Sequence, residues 1–234
     1  MSFRNRLKAQ RAQVESAWSD FQASKNSSDL RSEVLESWER SQASIDLEIS
    51  AAPTAFTDTE SVWADNPLAK PVEGLESSLN DLAEEGGFVV AITDPNSQIL
   101  WTTGSSYMRN KAARANFAPG SDWSESAVGT NALDLALRSQ QNQTVFSAEH
   151  FAPLVHGWVC YAAPIFDLES NTCLGVIDLS TTWDNANPLA SMAADSFAEL
   201  ISHEVTKSIG SVSSLRLKML GIPKVDLGLG TKSL

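Results

Sequence analysis

The chain is 234 residues long and 42 % apolar, enough for one or two domains with a real core and too much for disorder throughout. No apolar run approaches the roughly 18 residues of a membrane span, and the opening MSFRNRLKAQRAQ lacks the apolar centre of a secretory signal. Two cysteines, Cys160 and Cys173, do not make a disulfide framework, so a cytoplasmic protein with no membrane contact is expected. The net charge of −12 is unevenly spread: residues 115–206 carry 11 acidic side chains and 1 basic one, Arg138. Such a surface repels phosphate backbones, so this part is not expected to grip nucleic acid. Residues 41–114 are also acidic, at −7, whereas residues 1–40 and 207–234 carry +1 and +4.

In chain order, the first 25 residues read as one helix. Leu7, Val14 and Phe21 recur every seven positions, with Phe3 and Trp18 beside them. This narrow seam suits packing on the chain's own body as well as a coiled-coil dimer. A second helix is expected from Asp29 as N-cap, with Leu30, Val34, Trp38 and Ser41 on one face. These two helices form an N-terminal segment over 1–45. Residues 46–71, with Pro53, Pro67 and Pro71, read as a linker that docks in part through Phe56 and Trp63.

Residues 72–209 read as one domain. A helix over 72–85 buries Val72, Leu75, Leu79 and Leu82 and ends at Gly86–Gly87. Strands over 88–93 and 98–102 flank an Asp94–Ser97 turn and form a hairpin. A short helix over 107–114 follows, then a helix capped by Ser124 and running to about 140. Gln143–Phe146 is a strand, and 158–166 pairs with 173–180 in a second hairpin. A closing helix over 189–209 turns Met192, Phe197, Leu200, Ile201 and Val205 inward. The fold class is therefore α/β, of the α+β kind: an antiparallel sheet with helices packed on it. The basic tail 210–234 stands apart, with short strands expected over Leu215–Gly221 and Pro223–Leu227.

Catalytic signatures are sparse. The phosphate loop, the dinucleotide fingerprint, the nucleophile elbow and the common zinc spacings are all absent. In the second hairpin Phe166 should oppose Cys173 and Cys160 should oppose Leu179, which keeps the two thiols too far apart to bridge. Two segments invite a pocket. His150 and His156 bracket a loop rich in aromatics just before a core strand, where pockets are commonly built. His150 could equally do no more than satisfy a backbone group. The run Trp123–Ala132 places Gly129 and Asn131 inside a helix, where both cost stability. It reads either as a helix–sheet contact with a structural amide or as a pocket wall.

These segments carry a family likeness. Ser37-Trp38-Glu39-Arg40-Ser41, then Ser124-Glu125 with Val128-Gly129-Thr130-Asn131-Ala132, resemble motifs of bacterial regulators like the acetoin-catabolism activators. Glu149-His150-Phe151, Trp158-x-Cys160-x-Ala162-Ala163-Pro164-Ile165 and Leu174–Ser180 follow in the family's order, so the likeness covers about residues 30–205. It implies a GAF domain, an antiparallel sheet flanked by helices that senses a small molecule for a transcriptional regulator. The tail resembles the opening of the winged-helix output domain of some actinobacterial relatives, with the rest of that domain truncated. The ATPase and helix-turn-helix modules of the acetoin type are not in this sequence.

The expected function is thus a cytoplasmic small-molecule sensor, not an enzyme, with no cofactor and no direct DNA contact. Trp123, Phe151, Trp158 and Cys160 would line the ligand site, Asn131 and His150 would supply hydrogen bonds, and Thr130 belongs to the same wall. The first helix and the 189–209 helix would carry a homodimer and the output. The alternatives are a ligand-free GAF module that only dimerises or docks a partner, a methionine sulfoxide-reducing enzyme, and a haem or bilin sensor.

Overall fold

The computed structural model describes residues 2–24 and 30–219, with residues 212–219 described by backbone alone. Helix α1 (Phe3–Gln22) begins at Ser2, whose hydroxyl accepts from the Asn5 amide at 3.3 Å. Leu7 and Val14 are buried within the chain, so the seven-residue seam is spent on the protein's own body. Phe21 and Trp18 are only partly covered, and Phe3 is exposed. Helix α2 (Ser32–Gln42) starts after Arg31. The cap expected at Asp29 lies outside the described residues. Val34, Ser37, Trp38 and Ser41 form its buried face.

The stretch expected as a linker holds two short helices, α3 (Thr59–Ala64) and α4 (Ala69–Glu73). It is tied to the body by the Ala52 amide donating to the Ala115 carbonyl at 3.0 Å and by a bridge between Thr54 and Ser121. The helix expected over 72–85 is interrupted: α4 closes at Gly74, and α5 (Glu76–Gly86) starts after Leu75. Val72 and Leu79 still point into one core from either side of the break.

Five strands follow: β1 (Val89–Thr93), β2 (Ile99–Gly104), β3 (Gln143–Phe146), β4 (Trp158–Asp167) and β5 (Thr172–Thr182). They form one sheet in the order β2-β1-β5-β4-β3, and every neighbouring pair is antiparallel. Phe166 opposes Cys173 as the spacing predicts, while Cys160 opposes Ser180, one residue beyond the expected Leu179. Six strand residues separate Cys160 from Cys173's partner, roughly 20 Å along the ladder, so the free thiols cannot bridge.

Alternation along the strands makes two apolar faces. Val90, Ile92, Val159, Ile165, Ile177 and Leu179 pack under α5 and the last helix, α9 (Leu189–Met219). Val89, Ala91, Ala162 and Val176 face the other way, beneath α6 (Ser106–Ala113) and the segments of the functional site. Helix α9 corrects the sequence reading. Met192 and Leu200 are exposed, at 66 % and 48 %, and Ala190, Ala194, Ala198, Ile201 and Val205 turn inward. Alanines four apart let the helix lie close on the sheet; Phe197 packs partly against the core as expected, and Met192 and Leu200 are left on the far side. The expected strand at Leu215 is helix as far as Met219; the remainder of the tail lies outside the described residues.

One position sets the spacing of β5 against β1. A Cβ at Gly175 would stand 1.9 Å from the Thr93 carbonyl oxygen, which is backbone and cannot yield cheaply. Gly175→Ala should therefore cost about 3 kcal/mol or more of unfolding free energy, measured by urea denaturation.

Candidate functional site

The run Trp123–Ala132 does not form one helix to residue 140. It makes a single turn, α7 (Glu125–Val128), then breaks and restarts as α8 (Ala132–Ser139). Gly129 adopts φ +76°, and a Cβ there would meet Phe151 Cβ at 2.7 Å. Only glycine tolerates both the conformation and the approach. Asn131 is the N-cap of α8: its Oδ1 accepts from the Asp134 amide at 3.1 Å, and its Nδ2 donates to the Trp123 and Gly129 carbonyls at 2.8 and 2.9 Å. The residues that cost stability inside a helix are the ones that end one helix and begin the next.

This broken segment is bound to α2. Glu125 is buried and accepts from Arg40 through both oxygens, at 2.6 and 2.8 Å, and from the Ser37 hydroxyl. Ser37 also lies 2.8 Å from the Thr130 hydroxyl. Burial alone would raise the Glu125 pKa, but the hydrogen bonds from Arg40 and Ser37 outweigh it and hold the carboxyl below its ordinary value. The contribution of this carboxylate is thus present above the ordinary carboxylate range and lost as pH falls through its folded pKa.

The loop after β3 is held from the same side. The Trp38 indole donates to the Glu149 carbonyl at 2.7 Å, and the Trp18 indole donates to the Phe151 carbonyl at 3.1 Å. His150 is buried, with Nδ1 2.9 Å from the Ser147 carbonyl, so Nδ1–H donates there and Nε2 is left as an acceptor. Burial pushes its pKa down to about 4, and the ring is neutral. His156 Nε2 donates to the His150 carbonyl at 3.1 Å, with Trp18 edge-on to its ring at 5.1 Å.

Between these segments and the sheet lies a small cavity of about 20 Å³. Trp123, Asn131, His150, Trp158 and Cys160 line it, so five of the seven expected residues converge. Thr130 and Phe151 do not line it. Thr130 is buried against Ser37, and Phe151 is buried under Gly129. Phe117 and Leu133 add to the apolar wall, and Ala112 and Ala115 close it from the α6 side.

Sequence reasoning missed the floor. Asp178 and Ser180 on β5 line the cavity beside Cys160. Asp178 is fully buried in the middle of the sheet, opposite Ala91 on β1 and Ala162 on β4. Ser180 Oγ donates to its Oδ2, and no hydrogen bond reaches Oδ1 from the described residues. Burial pushes the Asp178 pKa up to about 7, against the Ser180 bond that lowers it. Burial and the Asp178 charge push the Cys160 thiol well above its ordinary value, which makes it a poor nucleophile. The missed signal was an aspartate inside an apolar run, where a buried carboxylate needs a reason. Among the described residues no group of three or more histidine, cysteine, aspartate or glutamate side chains could hold a metal ion, and no helix is long and apolar enough to cross a membrane.

Residues 7–203 match the family described as MimR, N-terminal domain. The chain belongs to that family. It is 35 % identical over 156 residues to an uncharacterized 47.3 kDa protein in the thcA 5′ region of Rhodococcus erythropolis, covering 65 % of this chain and 36 % of that protein. It is 31 % identical over 166 residues to the acetoin dehydrogenase operon transcriptional activator AcoR of Bacillus subtilis, covering 68 % of this chain and 27 % of the activator. It is 26 % identical over 170 residues to the propane 2-monooxygenase operon transcriptional activator MimR of Mycolicibacterium smegmatis, covering 71 % and 28 %. The chain therefore matches about a third or less of these relatives' length. Its fold is similar to that in the E. coli DhaR(N)–DhaL complex, with a TM-score of 0.72, 21 % identity and coverage of 82 % of this chain and 67 % of that one. The GAF-like sheet expected from the motifs is the fold observed.

Two predictions follow from this geometry. Arg40→Ala leaves the buried Glu125 carboxylate without its guanidinium and should cost about 2 kcal/mol. The Arg40→Ala/Glu125→Ala double variant should lose at least about 1 kcal/mol less than the two single losses together, as read in a double-mutant cycle. The second concerns pH. His150 protonates near pH 6.5 in the unfolded chain and near 4 in the folded one, so its contribution is lost as pH falls through that window. Asp178 has the opposite sign: the folded chain keeps a proton from 3.8 to about 7 that the unfolded chain has released, so stability declines as pH rises through that range. Asp178→Asn removes this decline alone. Its stability advantage over the natural chain should be near zero below pH 4 and about 2–4 kcal/mol above pH 7, by denaturation at several pH values.

Proposed function

We propose that this chain is the signal-sensing part of a cytoplasmic transcriptional regulator, that it binds a small organic molecule in the cavity, and that it acts as a homodimer. The observation that carries this reading is the join between cavity and helices. The cavity wall is built by Trp123, Asn131 and His150, and their neighbours Glu125, Glu149 and Phe151 are hydrogen-bonded to α1 and α2. A ligand that fits one arrangement of the wall better than another shifts the helices with it. The relatives named as transcriptional activators support the regulatory setting.

Leu189, Met192 and Leu200 support α9 as the dimer and output element, because they leave apolar surface on its outer side. The acidic body disfavours direct contact with DNA. We read the site as non-catalytic, since the Cys160 thiol is pushed up and His150 is neutral with one nitrogen spent on the backbone. A second reading, a module that docks a protein partner, is favoured by how small the cavity is. It is also favoured by the similar fold having been solved in a complex with DhaL.

Native mass spectrometry of the full chain purified from its source cells tests the proposal. The expected result is a dimer carrying one additional small-molecule mass per subunit. A monomer without added mass contradicts the ligand-bound dimer and favours the docking module.

A further inference from the structure

We infer that Asp178 is the polar anchor of the cavity and that it selects a small neutral molecule presenting a hydroxyl hydrogen to its unpartnered oxygen. This deepens the sensor reading above and rests on it. A buried carboxylate oxygen without a donor is costly. Among the described residues, three buried side-chain polar atoms lack a partner, and of these Asp178 Oδ1 belongs to a residue that lines the cavity; Thr93 and Gln22 do not line it. The other side of the carboxyl is already engaged by Ser180. Ala91 and Ala162, its cross-strand neighbours, carry no polar group to answer it.

The surroundings narrow the chemistry. No lysine or arginine lines the cavity, so an anionic ligand would meet the Asp178 carboxylate with no compensating charge. A primary ammonium needs three acceptors. Of the other polar side chains on the wall, the Asn131 amide is spent on the Asp134, Trp123 and Gly129 backbone and the Ser180 hydroxyl on Asp178 and Cys160, which leaves Asp178 Oδ1 as the acceptor without a donor among the described residues. An ammonium would therefore be buried with hydrogens left unanswered, at the full expense of its desolvation. A hydroxyl needs one acceptor for its hydrogen, and Asp178 Oδ1 supplies it. Trp123, Trp158, Phe117 and Leu133 then take the carbon skeleton. The cavity volume, about 20 Å³, limits the ligand to a few heavy atoms unless the wall yields.

The test is run at pH 8, above the Asp178 pKa of about 7 so that the carboxyl is ionised, on the full chain and its Asp178→Ala variant with two probes. Propane-1,2-diol reports the anchor. Xenon, which enters apolar cavities without hydrogen bonds, reports the cavity itself. Shifts of the Asp178 and Ser180 amides and of the Trp123 and Trp158 indole N–H groups in proton–nitrogen spectra give the affinities. The expected result is that xenon binds both proteins while diol affinity falls at least tenfold in Asp178→Ala. If xenon binds both and the diol binds neither, or both equally, the anchor is overturned and the sensor reading stands. Ethylammonium or acetate binding more tightly than the diol overturns the neutral class. If neither probe enters the natural chain, the cavity holds water alone, and both this inference and the sensor reading fall.

Discussion

The Glu125 carboxylate is the constraint around which the rest of the site is arranged. A charge this well buried survives only if its partners are in place. Two of them, Arg40 and Ser37, sit one helical turn apart on α2. The third contact is indirect: Ser37 also reaches Thr130, at the end of the same broken segment. Glu125 therefore fixes α2 against α7 and, through Thr130, fixes where the chain turns into α8. Arg138, one turn beyond Asp134 on α8, adds charge on the far side at 3.9 Å. Removing any one of these groups leaves the others with unanswered polarity, so the cluster holds together or fails together.

That constraint explains why the N-terminal helices belong to the same body as the sheet. Helix α1 contributes Leu7 and Val14 to the core on one side of the sheet and Ala17 to the core on the other. Its Trp18 and the Trp38 of α2 each reach a loop carbonyl beside His150. The roof of the cavity is thus suspended from helices rather than from the sheet beneath it. A shift of the roof by a fraction of an ångström has to be taken up by α1 and α2, because indole-to-carbonyl bonds do not stretch freely.

Strands and their register were largely legible in the sequence. Gln143–Phe146 is a strand with its expected bounds, and Phe166 opposes Cys173. The short connection between Asp167 and Thr172 leaves little freedom there, because loop length fixes the pairing of a hairpin. Helices were harder. The Trp123–Asn131 run reads as helix because Val128, Leu133 and Leu137 keep a helical spacing across it; the break is enforced by Phe151, which is distant in sequence and fills the place of a Cβ at Gly129. In α9 the reading favoured large side chains, Met192 and Leu200, over the alanines that face the sheet. The site was legible in its walls and not in its floor. Asp178 sits in an apolar run whose pattern says only that the strand is buried on both faces. Which oxygen lacks a donor is a property of the cross-strand neighbours.

The energetics of the floor bear on how a small ligand could act at all. Moving a two-state equilibrium from 1:99 to 99:1 takes about 5.5 kcal/mol of differential binding. A molecule of about five heavy atoms can supply at most about 1.5 kcal/mol per atom, so contacts alone barely suffice. Asp178 changes that balance. With its pKa raised from 3.8 to about 7, the buried carboxyl above neutral pH is a standing cost to the empty protein, about 1.4 kcal/mol for each unit by which the pKa is raised. A donor placed against Oδ1 relieves part of that cost and adds its own contact in the same step. If, as proposed, one arrangement of the roof admits the ligand better than another, that relief counts toward the difference between states and not merely toward affinity. On the proposed sensor reading, a polar cost held on the floor and a roof hung from the N-terminal helices would let a weak, small ligand shift the whole helical layer.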